Sequence, residues 1–288
     1  MSKSREFNSR LNAMSGMRRV TATMKMVAVS HLHHAQVDMR LPVPFAQELR
    51  KLAIVVHQIA AFSEHRLFQP PPKKDAKVLL LVMTSDRGLC GSFNGSIVHE
   101  VRHWLAENRK RRNLSVDALY AGQKGYNALH RDLPPCTSVF HVSAHPKTNE
   151  AAPIASYAMN HFNDGTYDEI CIAGSRFIST MKHVAAVRRI LPFTRSVSDV
   201  PGIDAPIIEP MDGRMLGTVM RLWVHYCVYL AQLHRAAGEQ ASRIVAMENA
   251  TVNLKEMESE LTLQRNRARQ TAITNELTEI IGGAETLA

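Results

Sequence analysis

Towards its C-terminus the chain reads Leu261-Thr-Leu-Gln-Arg-Asn-Arg-Ala-Arg-Gln-Thr-Ala-Ile-Thr-Asn-Glu-Leu-Thr-Glu-Ile-Ile281, within a longer segment that begins at Arg214 and contains no proline. Gly217 and Gly238 are the only glycines between Arg214 and Ile281. Proline costs a helix interior about 3 kcal/mol and glycine about 1 kcal/mol, so the segment can form one continuous helix. At about 1.5 Å per residue this helix is roughly 100 Å long, which indicates a mechanical or scaffolding part.

Apolar and small residues recur along this segment at steps of three and four, a spacing typical of a coiled-coil seam. Polar residues at Gln240, Glu258 and Arg265 interrupt the pattern, so the seam should be weak towards its end. The seam positions are Leu230, Leu233, Ala237, Ile244, Met247, Thr251, Leu254, Leu261, Ala268 and Ala272.

The N-terminal part of the chain carries a second stripe, predicting a helix from about Lys3 to Met39. Pro42 and Pro44 should kink or interrupt it, and a further helix is predicted from Phe45 to about Phe62. The stripe consists of Phe7, Leu11, Met14, Met17, Val20, Met24, Val27 and Leu32.

The middle of the chain changes character between Lys77 and Pro210, where strand and helix patterns alternate. Residues 78–83 form a continuous apolar run suited to a strand that is buried on both faces. Further strands are predicted at Val116–Tyr120, Thr137–Val142 and Glu169–Ala173, with helices at Gly95–Asn108, Lys124–His130 and Ala151–Phe162. This alternation favours a parallel sheet covered by helices.

The fold class is therefore α/β, with a long antiparallel coiled coil of the N- and C-terminal helices and an inserted parallel-sheet α/β domain. We expect residues 1–62 to form the N-terminal coiled-coil helix, kinked near 42–44, and residues 63–76 to form a linker. Residues 77–210 form the α/β domain, and residues 211–288 form the C-terminal coiled-coil helix.

Composition limits the function. The 288 residues carry a formal net charge of +9, which favours acidic partners, but only 6% are aromatic, which is low for a protein that stacks bases. The four cysteines are scattered and predict free thiols. No apolar run is long enough to span a bilayer and no secretory signal pattern occurs, so we expect a mature chain that is not exported.

A turn-like motif, Thr84-Ser-Asp-Arg-Gly-Leu-Cys-Gly91, follows the first strand and precedes a helix, where doubly wound folds bind phosphates. It lacks both the G-x-G-x-x-G pattern and the Gly-Lys-Ser/Thr of a phosphate loop. The preferred interpretation is a tight strand-to-helix turn, for which the candidate residues are Asp86, Arg87, Gly88, Cys90 and Gly91.

His99-Glu100-Val-Arg-His103 matches the H-E-x-x-H zinc-peptidase pattern, in which two imidazoles bind the metal and the glutamate acts as general base. No extended continuation supplies a third ligand, so a chance match on a solvated helix is preferred. A zinc-dependent hydrolase remains the alternative function. The cluster His31, His33 and His34 could bind a metal but is better explained as a polar strip. A basic coiled-coil protein that binds nucleic acid is a third and weaker possibility.

Four segments resemble the gamma subunit of F-type ATP synthases and occur in the family's order along the chain. They are Thr21-Ala-Thr-Met-Lys-Met-Val-Ala28, the motif at 84–91, Gly238-Glu-Gln-Ala-Ser-Arg-Ile-Val-Ala-Met247, and Leu261 to Ile281 with the following Gly282-Gly-Ala284. The resemblance implies a non-catalytic rotor shaft inside a ring of three alpha and three beta subunits. Its α/β domain would rest on the epsilon subunit and the c ring.

The resemblance also implies a set of contacts with the alpha and beta subunits. Met24 and Lys25 match the position facing a beta-subunit loop, and Arg243 matches an arginine of the C-terminal helix near it. The upper shaft would contact a beta-subunit catch loop through Arg269, Gln270, Thr274, Glu276 and Glu279. We expect no cofactor, no bound metal and no nucleic acid partner. The expected location is the cytoplasmic face of a bacterial inner membrane, reached only through the c ring, with the matrix side of a mitochondrial membrane as the less favoured alternative.

Overall fold

The computed structural model describes residues 2–58, 65–72, 74–111, 113–194 and 213–285. Six helices and four strands are named within these ranges. In chain order they are α1 (Ser2–Asp38), α2 (Pro42–Gln58), β1 (Lys77–Met83), α3 (Phe93–Arg111), β2 (Ser115–Ala121), α4 (Gln123–Leu129), α5 (Thr148–Asn163), β3 (Glu169–Ser179), β4 (Lys182–Leu191) and α6 (Gly213–Glu285).

The two long terminal helices are confirmed. The segment without proline forms α6, a single helix of 73 residues, and the N-terminal stripe forms α1. The predicted interruption also occurs, because α1 ends at Asp38 and α2 begins at Pro42, where the missing proline N–H would have no helical partner in any case. Residues 59–62 of the predicted second helix, and residues 195–210 of the predicted α/β domain, lie outside the described residues.

The sheet has the strand order β2-β1-β3-β4. The central strand β1 runs parallel to both β2 and β3, while β4 pairs antiparallel with β3. The fold class is therefore confirmed as α/β with a predominantly parallel sheet, although sequence reasoning missed the antiparallel strand β4. Its pairing depends on a hairpin with β3 after Ser179, and this segment carries no glycine turn signal.

The strand predicted at Thr137–Val142 was wrong. This segment lies along the outer edge of β2 and touches it only at intervals, through hydrogen bonds from Cys136 N to Ala118 O and from Phe140 N to Tyr120 O, both 2.9 Å. Pro134 and Pro135 precede it, and proline cannot donate to a strand ladder. The segment therefore forms isolated bridges rather than a fifth strand.

Strand β1 explains why the sheet is covered on both faces. Its side chains alternate, so Leu79, Leu81 and Met83 pack into a core formed with α2, α5 and α6. Val78, Leu80 and Val82 pack into a second core with α3, α4 and β2. All six are buried, as the continuous apolar run predicted.

The chain divides into two compact units. Unit 1 consists of Met1–Ala28 and Arg243–Ala288, and unit 2 consists of Val29–Ser242. Unit 2 contains the whole sheet, and both α1 and α6 contribute residues to each unit. The domain boundaries predicted at residues 62, 76 and 210 stay predictions.

Candidate functional site

In unit 1, α1 and α6 pair through polar contacts. Arg18 Nε lies 3.1 Å from Glu258 Oε2, the two hydroxyls of Thr21 and Thr251 are 2.9 Å apart, and Lys25 forms an ion pair with Glu248. As the residue number rises along α1, the number of its partner on α6 falls. The two helices are therefore antiparallel, as predicted.

The seam of α1 follows only part of the predicted stripe. Five of the eight predicted residues are inside: Phe7, Leu11, Met14 and Met24 are half-buried and Leu32 is buried. By contrast, Met17, Val20 and Val27 are about half exposed, and the residue that follows each of them along the chain is inside instead: Arg18 and Thr21 are half-buried and Ala28 is buried. Because a helix has 3.6 residues per turn, more than one set of positions at steps of three and four can be traced along it. The spacing alone therefore does not select the set that is buried.

Several apolar side chains of α1 therefore lie on the outside of the paired helices. Met17, Val20, Met26 and Val27 are 53, 58, 75 and 50% exposed. On α6 the seam positions Thr251, Leu254, Leu261 and Ala268 are only half-buried. Such apolar exposure on two thin helices is typical of a surface that is covered by other protein chains.

The residues Met24, Lys25 and Arg243, which are predicted to contact partner subunits, differ in how exposed they are. Met24 and Lys25 are half-buried, and Lys25 is paired with Glu248. Arg243 is only 8% exposed within the chain itself. A partner loop can therefore reach the Lys25–Glu248 pair directly, whereas Arg243 presents little surface.

The predicted upper contacts are on the outside of α6. Arg269, Gln270, Thr274 and Glu276 are all exposed, and Thr274 Oγ1 donates to the backbone oxygen of Gln270 at 3.0 Å. Glu279 belongs to α6, but its side chain is not described. Exposed apolar residues are interspersed with this polar group: Ile273, Leu277, Ile280 and Ile281.

Register explains why this end of α6 is so exposed. The pairs Thr21–Thr251 and Arg18–Glu258 place the start of α1 at roughly the level of Ala272 on α6. The residues after Ala272 therefore have no α1 residues beside them in the described structure. Arg269 and Gln270 lie just before this level; neither side chain has a hydrogen bond or ion pair among the described residues, and both are exposed, so both are available to a partner chain.

The turn after β1 is held together by its own polar groups. Asp86 accepts hydrogen bonds from the backbone N–H groups of Gln123 at 2.9 Å and Val142 at 3.0 Å, and His141 Nδ1 lies 3.3 Å away. Ser85 Oγ donates to the backbone oxygen of Arg87 at 2.7 Å.

The rest of the turn is a tight backbone bend. Gly91 has a φ of 54°, in the left-handed region where glycine carries no Cβ penalty, and Leu89 shares this region at 61°. Cys90 is buried and lies 3.2 Å from the Asn94 amide nitrogen, while Arg87 is exposed and Gly88 is half-buried. These contacts support the interpretation as a strand-to-helix turn.

Asp86 gives the first prediction. Burial of its carboxyl group raises the pKa, but hydrogen bonds from Val142, Gln123 and His141 outweigh burial and hold the pKa of Asp86 below its ordinary value of 3.8. Charge-assisted hydrogen bonds contribute about 1.5–3 kcal/mol. We expect Asp86→Asn to lower the free energy of unfolding of unit 2 by about 2 kcal/mol at pH 7. Urea unfolding followed by the fluorescence of Trp104 and Trp223, both in unit 2, measures it.

The pH dependence distinguishes this cause from a packing effect. The folded pKa is depressed, so the stabilisation is complete above the unfolded pKa and is lost as the pH falls through the folded pKa. The difference between the wild type and Asp86→Asn should therefore shrink below about pH 3.8. His141→Ala removes only the most exposed of the three hydrogen bonds, since the His141 side chain is 83% exposed, so it should lower the free energy of unfolding by less than Asp86→Asn does. A difference independent of pH would contradict this account.

The H-E-x-x-H segment lies on α3 with His99 and His103 exposed, and His103 Nε2 is 3.6 Å from Glu107. Among the described residues, no group of three or more His, Cys, Asp or Glu side chains is placed to hold a metal ion. Nothing in the geometry favours the zinc hydrolase. None of the four cysteines, Cys90, Cys136, Cys171 and Cys227, forms a disulfide, as predicted.

Two clusters in unit 2 were not predicted. His31 Nδ1 lies 2.7 Å from Nε2 of His145, whose ring also packs edge-on against His34, so part of the histidine strip faces the fold. Arg235 is 1% exposed, lies 2.7 Å from Glu239 and donates to the backbone oxygen of Ser143. The spacing of Arg235 and Glu239, four residues apart on a helix, was the only available signal, and it does not reveal burial.

Comparisons with known proteins match nearly the whole length of this chain. The model of the ATP synthase family matches residues 3–287. The central stalk and c-ring structure of the mitochondrial ATP synthase of Tetrahymena thermophila contains a chain that is 28% identical, with a TM-score of 0.58. The match covers 80% of this chain and 99% of that one.

Two structures of the Euglena gracilis mitochondrial ATP synthase are also similar in fold. A chain of its OSCP, F1 and c-ring assembly in rotational state 3 has a TM-score of 0.71 at 18% identity, covering 99% of this chain and 95% of that one. A chain of its rotor in rotational state 1 has a TM-score of 0.64 at 15% identity, covering 94% and 99%.

Proposed function

Since the chain belongs to the gamma-subunit family of the ATP synthases, we propose that it works as the central-stalk rotor by presenting different sides of its paired helices to each catalytic beta subunit in turn. In this role it couples ion flow through the c ring to the conformational cycle of the beta subunits. The chain itself catalyses nothing; its partners are the alpha and beta subunits, the epsilon subunit and the c ring.

The observation that carries this proposal is the antiparallel pairing of α1 and α6 in unit 1. The pair presents an apolar side at Met17, Val20 and Val27 and a mixed polar and apolar end around Arg269 and Gln270. A rod whose sides differ makes different contacts with a neighbour at each angle. Each orientation then stabilises a different conformation of that neighbour, so rotation driven by ion flow takes each beta subunit through its conformations in turn.

The upper contacts of the proposed shaft are Arg269, Gln270, Thr274, Glu276 and Glu279. The first four are exposed, and Thr274 and Glu276 also lie beyond the level at which α1 begins, which supports their use by a beta-subunit loop.

Near the base of unit 1, the proposed contacts are Met24, Lys25 and Arg243. Lys25 is held by Glu248, so a partner loop would meet a pair of opposite charges. Arg243 is buried in its own chain and would act by supporting the helix.

Unit 2, which contains the α/β sheet, would rest on the epsilon subunit and the c ring. No helix among the described residues is long and apolar enough to cross a membrane. We place the complex at the cytoplasmic face of a bacterial inner membrane, with the chain a peripheral subunit that needs no cofactor. The proposed α/β domain spans residues 77–210.

Reconstitution tests the proposed function. A hexamer of three alpha and three beta subunits should bind one copy of the chain and hydrolyse ATP while a bead attached through Lys182→Cys, on a background without the four native cysteines, rotates in one direction. A chain ending at Glu260 is the control, since it lacks the proposed upper contacts and should rotate with a smaller torque. Binding without rotation, at ATP hydrolysis rates equal to those of the hexamer alone, would contradict the rotor function.

A further inference from the structure

A cavity of about 310 Å³ lies within unit 2, between α6 and one side of the β3–β4 pair. Strand register brings Ile172 beside Arg188, Gly174 beside Ala186 and Arg176 beside Val184. Cavities that hold small ligands begin at about 300 Å³ and are mostly apolar. The apolar part of the lining consists of Ile172, Ile178, Val184, Ala186 and Ala231.

The charged side chains that line the cavity are both positive. Arg176 and Arg188 both line it, and the lining contains no Asp or Glu. In the described part of the chain, neither guanidinium takes part in an ion pair or a hydrogen bond. Both arginines are exposed, and an anion placed between them would gain charge-assisted hydrogen bonds.

His234 adds an uncharged polar ring to the lining of the same cavity. Burial, followed by the charges of Arg188 and Arg176, lowers the pKa of His234 to about 4, so the ring is neutral at pH 7. Its Nδ1 is buried and has no hydrogen-bond partner among the described residues. The neutral ring therefore adds no positive charge to that of the two arginines.

We propose that this cavity binds a small amphipathic carboxylate, with its carboxyl group between Arg176 and Arg188 and its apolar body against Ile172, Ala186 and Ala231. Guanidinium matches the planar carboxylate with two parallel hydrogen bonds. An unbranched chain of about six to ten carbons suits the volume. A phosphate ester fits less well, because placing a doubly charged group against alkyl side chains carries a larger desolvation cost.

Such a ligand would bridge β3 and β4 to α6, so it would stiffen the attachment of the long helix to the sheet in unit 2. The site uses none of the residues proposed to contact alpha or beta subunits. The inference therefore goes beyond the rotor function and can succeed or fail independently of it.

Calorimetric titration of sodium octanoate into the complex of the chain with three alpha and three beta subunits tests the site, with the hexamer lacking the chain as blank. We expect one saturable site per chain. Arg188→Gln should weaken binding at least about tenfold, the loss of one charge-assisted hydrogen bond. Ala186→Leu, which fills the cavity but keeps both arginines, should abolish binding. Lys182→Gln removes the same charge from the same strand outside the cavity and should leave the affinity unchanged.

Octanol, which has the same chain length without the carboxylate, should bind at least about tenfold more weakly than octanoate. Absence of saturable octanoate binding would overturn the proposal, as would equal affinities for octanoate and octanol. Equal losses in Arg188→Gln and Lys182→Gln would show a general charge effect and overturn it too. Should Ala186→Leu fail to assemble, Arg188→Gln decides, since this exposed side chain at the cavity mouth can be replaced without loss of the fold.

Discussion

Replacing Arg269 and Gln270 together with alanine is expected to leave assembly of the complex intact and to lower its steady-state ATP hydrolysis and synthesis by about tenfold or more. Both side chains are exposed in the chain alone and form no hydrogen bond or ion pair among the described residues. Alanine also favours the helix, so the change in helix stability should be only a few tenths of a kcal/mol. The effect should therefore appear in turnover and not in folding.

The size of the effect follows from where these side chains would act. A charge-assisted hydrogen bond to a partner, formed in only some rotary positions, is worth about 1.5–3 kcal/mol. A contact that stabilises one step and not another changes the rate by about tenfold for every 1.4 kcal/mol. ATP hydrolysis assays on purified complexes, with subunit stoichiometry measured in parallel, give the result.

A matched control lies one turn earlier on the same helix. Gln264→Ala with Arg267→Ala removes the same two residue types from exposed positions that we do not assign to the contact. This control should assemble and turn over at the wild-type rate. Unimpaired turnover of the Arg269 and Gln270 double variant would show that neither side chain contributes to coupling, and equal losses in both double variants would refute the assignment to these residues.

Replacing Glu239 with leucine should destabilise unit 2 by about 3–5 kcal/mol, because it leaves the Arg235 guanidinium buried without its carboxylate. Arg235 is 1% exposed, and its Nη1 lies 2.7 Å from Glu239 Oε2. A hydrogen bond to the Ser143 backbone oxygen satisfies one donor but supplies no negative charge.

The double variant separates the loss of the ion pair from the loss of packing. Removing both charges, with Arg235→Met and Glu239→Leu, should recover most of the stability lost in Glu239→Leu alone, since no uncompensated buried charge remains. Urea unfolding with tryptophan fluorescence measures all three proteins, because both tryptophans belong to unit 2.

An exposed ion pair in the same unit serves as control. Lys51 and Glu48 lie 2.7 Å apart on α2, with side chains 60 and 67% exposed. Glu48→Leu should change the free energy of unfolding by less than about 0.5 kcal/mol. If Glu239→Leu cost no more than Glu48→Leu, the buried pair would make no special contribution.

Local rules were sufficient for the longest elements. Absence of proline between Arg214 and Ile281, together with apolar residues at steps of three and four, was enough to predict α6, because proline costs a helix interior about 3 kcal/mol. The apolar run of β1 was likewise enough to predict a strand covered on both faces, and the structure buries all six residues from Val78 to Met83. Both predictions depend on the properties of one segment alone.

The edges of the sheet and the phase of the coiled coil required the tertiary structure. The segment at Thr137–Val142 has a strand-like composition, yet it meets β2 only at intervals, while β4 exists because it folds back on β3. On α1, the spacing allowed Met17, Val20 and Val27 as the seam, but Arg18, Thr21 and Lys25 take the inside because Glu258, Thr251 and Glu248 are opposite them.

The sequence by itself therefore determined the two long helices, the parallel core of the sheet and the positions of the exposed residues near the end of α6. Only the tertiary structure decided which face of α1 is inside, that Arg235 and Glu239 are buried, and that Arg176, Arg188 and His234 surround one cavity. The physical reason is that helix and strand formation depend mainly on neighbours along the chain. Burial and the pairing of charges depend instead on residues that are distant in sequence and are brought together only by folding.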